Sequence, residues 1–156
     1  MLAAYRRAAN LRGELSTLDE LSLLHLQRGD AATGLEVARR AYDMAIAVRD
    51  RKATAQTAAT VAEAYLALGE AGTAAAWFER GVELARGGYP YGQARALAGL
   101  AAARLRAGDV AGARDAAGQA AGTAAACRFR LLEGRARAVL AEAGPDRLIT
   151  NVGKRA

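Results

Sequence analysis

The chain has 156 residues, enough for one domain or one run of repeats. Its 43 alanines, two prolines and lack of any β-branched run exclude a β-rich fold and predict an all-α one. A single cysteine, Cys127, excludes an internal disulfide and a multi-cysteine metal site. The net charge of +6 is concentrated in the last thirty residues, where seven basic side chains stand against three acidic ones.

Twenty of the 22 basic residues are Arg. With abundant Ala and Gly, this is the usage of a GC-rich, actinobacterial type of genome. No apolar run is long enough to span a membrane and no leader with a cleavage site is present, so the expected location is cytoplasmic.

In chain order, "LAAYRRAANLR" (residues 2–12) predicts a first helix that belongs to an incomplete unit and stops at Gly13. "STLDE" places Thr17 and Glu20 at capping-box spacing before the next helix. Three segments then align without gaps: "LSLLHLQRGDAATGLEVARRA" (21–41), "VAEAYLALGEAGTAAAWFERG" (61–81) and "LAAARLRAGDVAGARDAAGQA" (100–120). Their Gly-acid pairs, Gly29-Asp30, Gly69-Glu70 and Gly108-Asp109, are spaced 40 and 39 residues apart. "CRFRLLEGRARAVLAEAG" reads as a closing helix over 127–143, ended by Gly144-Pro145, and residues 145–156 form a basic tail without a period.

Each aligned segment reads as helix, turn, helix. The glycines suit the left-handed position that closes a helix. Asp30 and Asp109 suit the N-cap of the next helix, with Glu70 a weaker cap. Gly34, Ala74 and Ala113 are small enough to let the two helices approach. A single unit of this kind cannot bury its apolar face, so neighbours must stack. The expected units lie near 15–50, 53–88 and 92–122, within a helical domain over 1–144.

Val61, Ala62, Tyr65, Gly69, Ala74, Phe78 and Gly81 fall on the large–small–aromatic, Gly, Ala, aromatic, small pattern of a known family. On these residues the chain resembles the tetratricopeptide repeat (TPR), best in the middle unit, over about residues 17–121. The first and third units lack the paired aromatics, with His25 and Arg104 where Tyr65 stands. The period near 40 looks like the long-helix variant found in actinobacterial transcription regulators of the antibiotic-pathway and LuxR types. The resemblance implies a right-handed α-solenoid of about three repeats with flanking helices, acting as a protein-interaction module.

That pattern places the concave groove at Asp19, Leu23 and Gln27 in unit one, and at Gln56, Thr60 and Glu63 in unit two. In unit three it places it at Arg95, Gly99, Ala102 and Arg106. The implied partner is a protein, a peptide or a neighbouring domain of a longer chain. A free-standing adaptor, a small-ligand sensor and a self-associating homodimer are the other readings.

No catalytic, metal or cofactor constellation is expected. His25, the sole histidine, occupies the inter-helix slot that Tyr65 holds in the next unit and reads as structural, and Cys127 has no histidine to activate it. "GEAG" and "GGYPYG" lack the Lys-Ser/Thr of a phosphate loop and read as turns. On the closing helix, Arg128 and Arg135 point away from Arg130 and Arg137, so the charges form no single stripe and nucleic-acid binding is not expected. Trp77 sits one position off the repeat's aromatic slot and is expected to pack against a neighbouring unit.

Overall fold

The computed structural model describes residues 2–145. The basic tail beyond Pro145 lies outside them. Seven helices follow one another: α1 (Leu2–Gln27), α2 (Ala31–Ala47), α3 (Arg51–Ala67), α4 (Ala71–Ala85), α5 (Pro90–Arg106), α6 (Val110–Ala126) and α7 (Arg130–Ala143). Among the described residues there is no strand.

Every helix packs on the next, and α1 also meets α3, α3 meets α5, and α5 meets α7. No equivalent contact joins α2 to α4 or α4 to α6. The odd helices therefore form the crowded inner layer and the even ones the splayed outer layer, which is how a helical solenoid curves.

The turns explain this regularity. Gly29, Gly69 and Gly108 all have φ between 81° and 86°, the left-handed conformation that ends a helix without a Cβ clash. Asp30 then accepts a hydrogen bond from the Thr33 amide and Asp109 from the Gly112 amide, whereas Glu70 makes no side-chain cap. The turns between units do the same with less suitable residues. Gly87 has φ 83°, but Arg49 and Arg128 occupy the left-handed region at 54° and 60°. Asp50 caps α3 by accepting from the Ala53 amide.

The core is mostly alanine around a few large side chains. Phe78, Val61, Ala58 and Ala101 are fully buried. Small residues set the helix spacing: Ala74 and Ala113 are fully buried, and a Cβ on Gly34 would stand 2.7 Å from Leu26 Cδ2. The innermost helix, α3, buries Thr54, Thr57 and Thr60. Each hydroxyl donates to a carbonyl one turn back, on Asp50, Ala53 and Gln56, so none of the three is left dry. Trp77 does pack on a neighbouring unit, edge-on to Tyr42 with ring centroids 5.0 Å apart.

Three sequence expectations are corrected. No break occurs at Gly13, and the separate helices over 2–12 and from Thr17 are one 26-residue helix. Thr17 spends its hydroxyl on the Gly13 carbonyl, a bond within a helix and not a cap. One interior glycine costs only about 1 kcal/mol, too little to stop a helix whose neighbours all favour propagation. The closing helix begins at Arg130, because Arg128 adopts the left-handed conformation and ends the preceding turn. Arg128 and Arg135 therefore do not share a helix face.

Candidate functional site

The inner layer carries a polar ladder that crosses three helices. On α1, Asp19 is only 1 % exposed, and its Oδ2 accepts from Gln56 Nε2 of α3 at 2.8 Å. Its Oδ1 is buried and accepts no hydrogen bond. On α5, Arg95 reaches back to α3, donating to Glu63 Oε1 from Nε at 3.1 Å and from Nη2 at 3.0 Å. Arg95 Nη2 also donates to the Thr60 hydroxyl. The Tyr89 hydroxyl lies 3.5 Å from Gln56 Oε1.

Burial alone disfavours the Arg95 charge, but the attraction of Glu63 and of Asp19 outweighs it and holds the guanidinium pKa above its ordinary value. Arg95 thus stays charged with its side chain 12 % exposed. Burial also raises the Tyr89 phenol, despite the opposing pull of Arg95, so Tyr89 is neutral at physiological pH.

Above this ladder lies an open groove of about 520 Å³. Leu23, Leu26 and Gln27 of α1 form one wall, and Leu131, Leu132 and Arg135 of α7 form the other. Gln56, Glu63, Tyr89, Tyr91 and Arg95 make the floor and one end. Tyr91 stands edge-on to Phe129 at 5.3 Å and tilted to Tyr89 at 6.3 Å, so the aromatic row runs from α5 to the start of α7. Leu131 is 69 % exposed and Tyr91 44 %, large apolar side chains open to solvent.

Of the residues expected to line a groove, Leu23, Gln27, Gln56, Glu63 and Arg95 are brought together there. The others are not. Asp19 and Thr60 are buried beneath the floor. Gly99 lies under the Phe78 ring, which a Cβ would overlap. Ala102 packs against the core, and Arg106 is exposed at the end of α5, off the groove.

The residues not anticipated are Leu26, Tyr89, Tyr91, Leu131, Leu132 and Arg135. The two tyrosines of "GGYPYG" read in the sequence as part of a turn, with no sign of the groove they line. The α7 side chains become visible as groove residues only once α7 is seen against α5.

His25 pairs with Asp30 at 3.3 Å, a local contact beside the first turn, and Arg104, in the equivalent slot of unit three, binds Glu79 at 2.8 Å. Cys127 is exposed in the turn before α7. Among the described residues, no three His, Cys, Asp or Glu side chains gather as a metal site, and no helix is long and apolar enough to cross a membrane.

No protein-family model matches the sequence, and no curated protein matches it. The fold is similar to that of the TPR domain of Arabidopsis FLU, known from a crystal structure. The TM-score is 0.66 at 14 % identity, over 70 % of this chain and 93 % of that one. What the two share is the architecture: stacked antiparallel helical hairpins of the tetratricopeptide type.

Proposed function

We propose that the chain is a non-catalytic protein-interaction module that holds a protein or peptide segment in its concave groove. The observation that supports this most is the groove itself: four inner helices wall one cleft that keeps Leu131 and Tyr91 exposed to water. Exposed apolar side chains in a concave, polar-rimmed surface are the usual mark of a partner site. The volume, about 520 Å³, suits a few large side chains of a bound segment.

Leu131→Glu should abolish capture of a partner from native lysate, while Ile46→Glu, a similar exposed residue on α2 outside the groove, should leave it intact. Equal effects of the two would defeat the assignment. Arginine-rich composition and the long repeat period favour a setting in the helical-repeat part of an actinobacterial transcription regulator. A DNA-binding or ATPase domain encoded in the same open reading frame would support that setting, and its absence from the gene would remove it.

A further inference from the structure

The turns that join one unit to the next are basic. At residues 48–52, 86–91 and 127–131 stand Arg49, Arg51, Lys52, Arg86, Arg128 and Arg130, all exposed, against one acid, Asp50. The turns inside units have the opposite balance, with Asp30, Glu70 and Asp109 against Arg28 and Arg106. Successive helices in the stack run antiparallel, so the two sets of turns lie at opposite edges. Along any one helix the arginines form no stripe; across three turns they form a basic edge.

The acids beside this edge are engaged. Asp50 accepts from the Ala53 amide as the cap of α3 and lies 3.8 Å from Arg12 Nε. Glu83 pairs with Arg80, and Glu133 with Arg137. Among the described residues, Arg49, Lys52, Arg86, Arg128 and Arg130 make no ion pair. Arg51 donates to the Leu84 and Glu83 carbonyls at 2.8 and 3.2 Å, which fix its guanidinium and leave its charge unneutralised.

Rings run along the same edge. Lys52 Nζ lies 4.8 Å from the centroid of Tyr89, Tyr89 lies 6.3 Å from Tyr91, and Tyr91 lies 5.3 Å from Phe129. This file links the first turn to the third, with Tyr91 44 % exposed in its middle. Backbone strain singles out the same place. Among the described residues, the non-glycine ones at positive φ are Arg49 and Arg128, one in the first turn and one in the third. Glycine would hold either turn at lower cost, as Gly87 does in the turn between them. Arginine held there despite the strain points to a use for its side chain.

We infer that this edge binds single-stranded nucleic acid, its phosphates running along the arginines and Lys52 and its bases stacking at Tyr91. Cations without competing anions displace the counterions of a phosphate backbone, and an exposed ring accepts the face of any base. A duplex keeps its bases stacked on one another, and an acidic peptide or an anionic lipid headgroup has no flat ring to offer Tyr91. The arginines of the edge lie outside the groove lining, so the site stands whether or not the groove holds a peptide.

Fluorescence polarisation of labelled thymidylate and uridylate 15-mers with the full chain tests this. Both sugars should bind alike, because phosphates and base faces are common to them. Affinity should fall with salt at a log–log slope of about −3, roughly −0.7 for each phosphate contacted. Arg49→Gly with Arg128→Gly should weaken binding about tenfold and flatten that slope by about 1, yet melt no lower than the wild type, since both strained turns are relieved. Arg28→Gln with Arg106→Gln, at the opposite edge, should change affinity by less than about twofold. Tyr91→Ala should weaken binding about tenfold and Tyr91→Phe should retain it, with circular dichroism checking that both are folded.

Equal losses from the two arginine pairs would reduce the effect to net charge and overturn the site. A folded Tyr91→Ala variant that binds like the wild type would remove the base contact and overturn it too. Tighter capture of a duplex of the same length, of an aspartate 15-mer or of vesicles with one-third phosphatidylserine would overturn the assignment in favour of that partner. Absence of binding at low salt would overturn it outright.

Discussion

The ring of Phe78 on α4 lies directly over Gly99 on α5, occupying the space that a Cβ at that position would fill. Phe78 is fully buried, so this contact joins the second unit to the third at the level of the core. It also explains why Gly99, placed at a groove position by the repeat pattern, contributes nothing to the groove.

Gly99→Ala should therefore destabilise the fold by overpacking, by about 1–3 kcal/mol. Phe78→Ala should cost about 3–5 kcal/mol. Combining Gly99→Ala with Phe78→Leu should cost less than the sum of the two, because the smaller side chain vacates the contested space. Urea denaturation of the single and double variants measures this. Strict additivity would mean that the two positions do not touch.

Removing one member of the Arg95–Glu63 pair should harm the fold more than removing an exposed pair. Glu63→Ala leaves a mostly buried guanidinium with Thr60 and the Gln56 carbonyl as its remaining hydrogen-bond partners. The expected loss is about 1–3 kcal/mol, reduced from the fully buried case because Glu63 is 29 % exposed. Arg80→Ala, at the exposed Arg80–Glu83 pair, should change stability by less than about 1 kcal/mol. Thermal melts of both variants decide the comparison.

Tyr89 gives the groove an alkaline limit. Burial raises its pKa above the ordinary 10.0, so the folded state holds the phenolic proton more tightly than the unfolded chain does. The resulting stability is complete below pH 10 and is lost as pH rises through the folded-state value. Tyr89→Phe should remove this component of the alkaline destabilisation. Ultraviolet titration of tyrosinate should show one phenol ionising later in the wild type than in the unfolded chain, and that late component should vanish in the variant.

Backbone conformation makes two opposite predictions. A Cβ at Gly13 meets nothing within 4 Å, and the residue is inside α1, so Gly13→Ala should stabilise the protein by up to about 1 kcal/mol. A helix end at Gly13 would give the reverse sign. Arg49 carries the strain of φ 54°, and Arg49→Gly should relieve about 1 kcal/mol of it. Gly87→Ala, at φ 83°, should destabilise. Differential scanning calorimetry on the three variants reads all the signs.

Local signals were strong where the residue chemistry admits one conformation. Gly29, Gly69 and Gly108 announced helix ends, and Asp30 and Asp109 announced caps, because a left-handed backbone and an orphan amide each accept few residue types. Gly13 misled because the same residue type stops a helix only when the backbone turns there, and the residues after Gly13 carry the helix on. Arg49 and Arg128 gave no signal at all: no local preference places an arginine at positive φ, and only the packing of successive units forces the chain to turn at those points.

The repeat, the all-α class and the pairing of helices into hairpins were determined by the sequence alone. They follow from short-range physics: helix propensity, capping, and the recurrence at 40 and 39 residues of a Gly-acid turn followed by a small residue. Which residues face the groove was decided by the tertiary structure. Asp19 and Thr60 were drawn under the floor, Gly99 beneath Phe78, and Tyr89, Tyr91 and the leucines of α7 into the groove lining. A residue's angle about its own helix is local, but the curvature of the stack sets which neighbours cover it, and that curvature arises only when all seven helices pack together.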